Sequence, residues 1–452
     1  MHRRLHRLIL LSLTLAAGCE SYRPLDLMQG PPPSMIAADP ASLREQAVAL
    51  HNPMLHVGDL SAPSGYTPDQ LAVIAVVLNP TLRGLRDKNA VATATANGAA
   101  ILPNPTLSYT LDIPFGKNST GLTGYGLGID WEITSLLTQG AKKAAAAQVA
   151  EQGRLDTAWQ EWQIAQAARQ AAYDVLALRQ QLKAAEALAN QLDRIATNAK
   201  AALDRHDLTV TDASAATTAA GEAHITVAST RRDLADAELA LKRAVGIEPG
   251  EAILLNESVK LPSQLNVPEA TTLIEHLEDR RIDLVALRRG YNAQEETVRG
   301  AILAQFPKIG LGISHTRDTG DFYTIGPSFT IDLPVFNRNQ GVIAVERATR
   351  QQLFDEYHSR AFEARSDIAR AVAAIHAIIG QINVTAGHVA GLQKLVSADE
   401  QALKEGNLDV ATFYAASVSL AQRQVDLAKL QQDLMHGLIT LELAANVYLP
   451  QE

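Results

Sequence analysis

Few side chains in this sequence are placed to do covalent chemistry. The single cysteine is Cys19, so the chain can form no intrachain disulfide, no CxxC zinc site and no cysteine-held cluster. Twelve histidines invite a metal reading. His206, His224, His276, His315, His358, His388 and His436 are scattered, however, with no HxxxH or HxH pair among them. They read as solvated helix-face residues, and the five methionines form no thioether ladder for copper. Gly124-Tyr125-Gly126-Leu127-Gly128 looks like a phosphate loop only superficially, because its glycines alternate with Tyr, Leu and Ile as on one strand face. No nucleophile stands beside a base, so neither a catalytic residue nor a cofactor is expected. The formal net charge is −9, more negative still without Arg3, Arg4 and Arg7, and leaves no basic footprint for nucleic acid.

Cys19 itself has chemistry of another kind. Arg3, Arg4, His6 and Arg7 precede the apolar run 8–17, which is too short to span a bilayer but suits a secretory segment. The run ends Leu15-Ala16-Ala17-Gly18-Cys19, which resembles the bacterial lipobox. That resemblance implies removal of residues 1–18 as a lipoprotein signal peptide and an acyl chain such as palmitate on Cys19. Ala16 stands where leucine is usual, and Glu20 is not the aspartate associated with inner membrane retention. A plain signal peptide with an incidental cysteine is the alternative. Residues 19–67 then carry Pro24, Pro31, Pro32, Pro33, Pro40, Pro53 and Pro63, a density that opposes long helices and suggests an extended surface segment or a tether.

The rest of the chain repeats itself at an offset of about 200 residues. Ala202-Leu203 aligns with Ala402-Leu403, Leu208 with Leu408, Leu241 with Leu441, Leu82 with Leu284, Pro105 with Pro307 and Tyr125 with Tyr323. Residues 68–246 and 268–446 each read as helix (near 68–101 and 268–304), strand, strand, long helix, turn, helix, joined by 247–267 and followed by the tail 447–452. A seven-residue beat runs through Ile375, Ile382, Val389, Val396 and Leu403, and through Phe413, Leu420, Leu427, Leu434 and Leu441. Leu178, Ala185, Leu192 and Ala199 keep it in the first half, which predicts coiled-coil packing. A helix over 141–203 would be on the order of 95 Å long.

Four strands of period two interrupt the helices, at about 105–113, 122–133, 307–315 and 322–333. Leu107, Tyr109 and Leu111 alternate with Ser108 and Thr110; Leu127, Ile129 and Trp131 alternate with Gly128 and Asp130. Ile309, Leu311 and Ile313 alternate with Gly310 and Gly312, and Ile325, Phe329 and Ile331 with Gly326 and Thr330. Such faces fit either a soluble sheet or a membrane barrel with a wet lumen and aromatic rims. Four strands cannot close a channel, so a barrel requires several chains.

Taken in order, Leu78-Asn79-Pro80-Thr81-Leu82, Leu102-Pro103-Asn104-Pro105, Arg281-Ile282-Asp283-Leu284, Phe306-Pro307-Lys308 and Leu333-Pro334-Val335-Phe336-Asn337-Arg338-Asn339-Gln340-Gly341 resemble the TolC-type outer membrane efflux family. The resemblance covers nearly all of residues 68–446. Arg281-Ile282 departs from the family's arginine-proline pair, and the stretch from Leu333 to Gly341 is most similar to the cation and heavy-metal efflux branch. The resemblance implies a mainly α protein with membrane β structure. Its homotrimer shares a 12-stranded outer membrane β-barrel above a periplasmic α-helical barrel, with 19–67 and 247–267 around the middle.

It also implies a passive conduit, not an enzyme, joined to a periplasmic adaptor and an inner membrane pump of RND type. The adaptor would meet the helix–helix turns, at His206, Asp207, Leu208 and Thr209 and at Gly406, Asn407, Leu408 and Asp409. Gly406 and Asn407 suit a left-handed reversal, and Thr209 and Asp409 suit helix N-caps. The acidic rings that narrow some relatives fall on Thr412 and Ala415. Asp212 and Asp409, with Thr412, are therefore the candidate constriction, where repeated acids would hold cations. The contrasting reading is a lipid-anchored periplasmic coiled-coil scaffold without a pore.

Overall fold

The computed structural model describes residues 22–27, 39–116, 121–405 and 407–449. Two units are distinguished, Met1–Pro33 and Ser34–Glu452. In the first, residues 22–27 are exposed and without regular structure; Cys19 and the signal segment lie outside the described residues. All elements named below belong to the second.

Three prolines start helices there. α1 (Pro40–Ala49), α2 (Pro68–Leu78) and α3 (Pro80–Gly98) each place proline at the first turn, where its missing N–H is one the helix could not have used. Each also has a side-chain cap: Asp39 accepts from Ser42 N–H, Thr67 from Gln70 N–H and Asn79 from Thr81 N–H. The expectation of an extended segment over 19–67 is corrected to this extent. A ten-residue helix forms because Pro40 sits where proline favours a helix. Pro80 has the opposite effect on what precedes it. It holds Asn79 extended, at ψ 120°, and splits the single helix expected near 68–101 into α2 and α3.

β1 (Thr106–Asp112) and β2 (Gly124–Glu132) lead into α4 (Ser135–Asp204), a helix of 70 residues and therefore about 105 Å long. It contains no proline and buries alanines along much of its length, among them Ala165, Ala168, Ala172, Ala185, Ala189 and Ala199. Alanine favours the helix and admits close neighbours. α5 (Val210–Val245) returns along it. In the second half the expected helix over 268–304 is broken into α6 (Ala270–Ile274), α7 (Leu277–Arg280) and α8 (Ile282–Leu303). His276 in a left-handed conformation and Arg281 in an extended one interrupt it. β3 (Lys308–Arg317), β4 (Tyr323–Asp332), α9 (Gln340–Lys404) and α10 (Val410–Ala445) complete the chain.

Helix packing follows the heptads. Ile375, Ile382 and Val389 of α9 and Phe413, Leu434 and Leu441 of α10 are buried. α4 packs against α5, α8 and α10, while α9 packs against α8 and α10. Two close approaches join helix ends. Gly246, at φ +85°, caps α5 so near the α2–α3 corner that a Cβ would fall 2.6 Å from Asn79 Cα, and Asn79 Nδ2 donates to Ala244 O. Asn446, also left-handed, caps α10 and donates to Arg280 O, while Arg281 Nη1 donates to Ala444 O. α5 thus ends where α3 begins, and α10 where α8 begins.

Residues 39–67 and 247–267 pack on the middle of α4. Leu43, Ala47, Leu60, Leu255 and Leu261 join Ala168, Ala172, Val175 and Leu176 in one buried cluster. Tyr66 and Leu255 form a parallel bridge, with Tyr66 N–H donating to Leu254 O at 2.7 Å.

Candidate functional site

The four strands form one antiparallel sheet in the order β1-β2-β3-β4. Its register sorts the alternation seen in the sequence into two faces. Leu107, Ile129 and Ile313 share one row; Trp131, Leu311 and Phe329 share another. Between the loop end and these rows lie Tyr109, Leu127, His315 and Ile325. Leu107, Tyr109, Ile313, Ile325 and Phe329 are all more than half exposed. On the opposite face Ser108, Gly128, Ser314 and Gly326 form a row, as do Thr110, Gly126, Thr316 and Thr324. Ser328 donates to Asp130 at 2.9 Å on this face.

The polar face is the crowded one. Gly124, Gly126 and Gly128 are buried although they carry no side chain, and a Cβ on Gly128 would fall 2.7 Å from Ser108 Oγ. Neighbouring polar side chains lean over these glycines, Ser108 over Gly128 and Thr110 over Gly126. β1 pairs with β2 alone and β4 with β3 alone, so both sheet edges keep an unpaired backbone among the described residues. Thr134 fixes the junction below: its hydroxyl accepts from Ile309 N–H at 2.5 Å and lies 3.3 Å from Pro307 O.

At the far end of the long helices are the two turns. After α4, Asp207 N–H donates to Ala202 O, and His206 takes a left-handed φ of 65°. After α9, Asn407 N–H donates to Ala402 O in the same way. Gly406, which aligns with His206, lies outside the described residues. Both expected N-caps are present: Thr209 accepts from Asp212 N–H at 3.2 Å, and Asp409 from Thr412 N–H at 2.8 Å. Thr412 Oγ1 also donates to Asp409 at 2.7 Å, which holds this carboxyl below its ordinary pKa. Leu208 and Leu408 pack against the cluster containing Leu192, Ile195 and Phe413. Asp212 and Asp409, from the two turns, line one cavity of about 160 Å³ with Leu208 and Tyr414. The candidate constriction residues are therefore brought together, while both acids are engaged in local capping bonds.

Two polar clusters were not read from the sequence. In one, Glu442 and Arg169 are buried as an ion pair. Gln166 Nε2 and Leu449 N–H donate to the carboxylate at 2.9 Å each, Asp69 lies 2.7 Å from Arg169 Nε, and the guanidinium sits 5.0 Å from the Tyr448 ring. Burial pushes the Tyr448 hydroxyl up to about 12. In the other, Asp283 accepts from both Arg281 and Arg360. Two histidines expected to be solvated are paired: His224 with Asp193 at 3.0 Å, and His436 with Asp174 at 2.5 Å. Among the described residues no group of three or more His, Cys, Asp or Glu side chains converges as a metal site.

Residues 273–447 match the family described as outer membrane efflux protein. No curated protein matches the chain in sequence. Among solved structures, the fold is similar to that of the outer-membrane channel OprN, at 15% identity and a TM-score of 0.73, covering 87% of this chain and 97% of that one. It is also similar to CusC, which forms a transmembrane channel, at 19% identity and a TM-score of 0.69, covering 85% and 94%. The outer membrane protein VceC of Vibrio cholerae matches at 17% identity and a TM-score of 0.69, covering 85% and 97%. The chain shares the fold of these solved channels.

Proposed function

For a chain whose residues 273–447 match the outer membrane efflux protein family, we propose the role of a passive outer membrane channel. One observation carries the reading: among the described residues, an open four-stranded sheet has two free edges, one exposed apolar face and one polar face. In hydrocarbon no backbone edge can be left unpaired, so the sheet must close on further copies. Three copies give a barrel of about twelve strands, wide enough for water, whereas two would give about eight and a lumen filled by side chains. The polar face then lines the lumen and the apolar face meets lipid.

In this reading the two halves of the chain are one internally duplicated unit. The long helices build a periplasmic α-barrel, with 39–67 and 247–267 as an equatorial belt, and Cys19 carries the lipid anchor. A periplasmic adaptor coupled to an inner membrane pump of RND type docks at His206, Asp207, Leu208 and Thr209 and at Gly406, Asn407, Leu408 and Asp409. Asp212, Asp409 and Thr412 narrow the closed tip. The pump supplies the energy.

The test is the native mass of the detergent-extracted protein, followed by conductance in planar bilayers. Three chains and stepwise conductance are expected. A monomer released from the membrane by removal of the acyl group would sink the channel and leave a periplasmic scaffold.

A further inference from the structure

Arg317 stands on the wrong face of the sheet for a charge. It shares its row with Tyr125 and Tyr323, beside the row holding Leu127, His315 and Ile325, on the face that is otherwise apolar and exposed. Its guanidinium is held rather than free. Nε donates to Asp321 Oδ1 at 2.7 Å, and Cζ lies 5.6 Å from the Tyr323 ring centroid. His315 stacks on the same ring at 6.2 Å, and Tyr125 is 6.0 Å from His315. Asp318, next in the chain, uses Oδ1 to accept from Gly320 N–H and Phe322 N–H within its own turn. Among the described residues the terminal guanidinium nitrogens and the His315 ring make no protein hydrogen bond.

Anchored at Nε and stacked on an aromatic ring, a guanidinium presents its two terminal N–H groups as a fixed fork. That fork fits two oxygens of one phosphate. The surroundings select where the phosphate comes from. A soluble anion has no use for the exposed Tyr109, Leu111 and Ile325 around the site, whereas a headgroup with acyl chains does, and tyrosines are the residues that mark such an interface. Resting on the channel reading, the row lies at the end of the sheet away from the helices, which is the outer leaflet.

We propose that Arg317, positioned by Asp321 and Tyr323 and flanked by His315, binds a phosphate of lipid A on the outer wall of the barrel. A closed trimer would carry three such sites.

The test is native mass spectrometry of the detergent-extracted protein with bisphosphorylated lipid A, the same lipid after dephosphorylation, and phosphatidylglycerol. The intact protein is expected to bind bisphosphorylated lipid A at least about tenfold more tightly than either other lipid. Arg317→Gln should abolish that preference, and Arg317→Lys, which keeps the charge but not the fork, should restore little of it. Equal binding of phosphorylated and dephosphorylated lipid by the unaltered protein overturns the inference without any variant. Equal binding of phosphatidylglycerol does so too, because the site would then read only negative charge. The same spectra count chains. Three chains without a lipid preference sink the lipid site alone, whereas any other count sinks the channel reading and this inference with it.

Discussion

Glu442 has no exposed surface, yet its carboxylate is satisfied on all sides by Arg169, Gln166 and the N–H of Leu449. Such a pair is costly to break and cheap to replace whole. Glu442→Ala should lower stability by about 3 kcal/mol, since it leaves the buried guanidinium of Arg169 with Asp69, a half-exposed carboxylate, as its one acidic partner. Arg169→Met with Glu442→Leu should recover most of the loss, and thermal unfolding of the purified variants measures both. His436 adds a pH dependence. The hydrogen bond that its Nε2–H donates to Asp174 raises its pKa against the opposing effect of burial, and Asp433, Asp367, Arg360 and Arg370 share its groove. A raised pKa means stability that is complete below the ordinary histidine value of about 6.5 and lost as pH rises through the folded value. Protection against hydrogen exchange between α4 and α10, relative to the intrinsic rate at each pH, should be greater at pH 6 than at pH 8, and His436→Gln should remove that difference. Neither pair was legible in the sequence, because Arg169 and Glu442 lie 273 positions apart. The caps at Thr209 and Asp409 were legible, because a cap needs only the residue three places on.

At the scale of elements, periodicity served well and end effects served less well. The heptads placed Ile375, Leu434 and Leu441 inside, and both helix–helix turns fall where the repeat put them. The breaks at Asn79, His276 and Arg281 were not anticipated. Asn79 is held extended by the following proline, and the break at Arg281 goes with a contact from far along the chain, its bond to Ala444. The α9–α10 seam offers a test of close packing. A Cβ on Gly437 would come 3.0 Å from Ile375 Cγ1, and Ile375 is fully buried with nowhere to move. Gly437→Val should therefore cost about 1–3 kcal/mol by overpacking. Gly380, on α9, has nothing within 4 Å of such a Cβ. Gly380→Ala should stabilise by up to about 1 kcal/mol through helix propensity alone. Opposite shifts in the unfolding midpoint would bear out the seam; equal shifts would contradict it.

For the whole molecule, alternation along each strand revealed the two faces but not how side chains pack on them, because that depends on neighbours across the register. Ser108 leans over Gly128 and Thr110 over Gly126 on the polar face. The two faces make a specific demand on substitutions one residue apart in register. Ile129 lies in the middle row of the apolar face, between Leu107 and Ile313, and Ser314 lies in the adjacent row of the polar face. If the apolar face meets hydrocarbon, Ile129→Arg places a charge near the bilayer midplane at a cost of about 2–4 kcal/mol per chain. Three chains sharing one barrel multiply that cost. The variant should fail to assemble in the outer membrane, read by its loss from the membrane fraction. Ser314→Lys puts the same charge into a wet lumen, where insertion should be unaffected while conductance falls and selectivity shifts toward anions. A soluble sheet predicts the reverse. Its apolar face would be covered by protein, both variants would fractionate alike, and neither would alter an ion current.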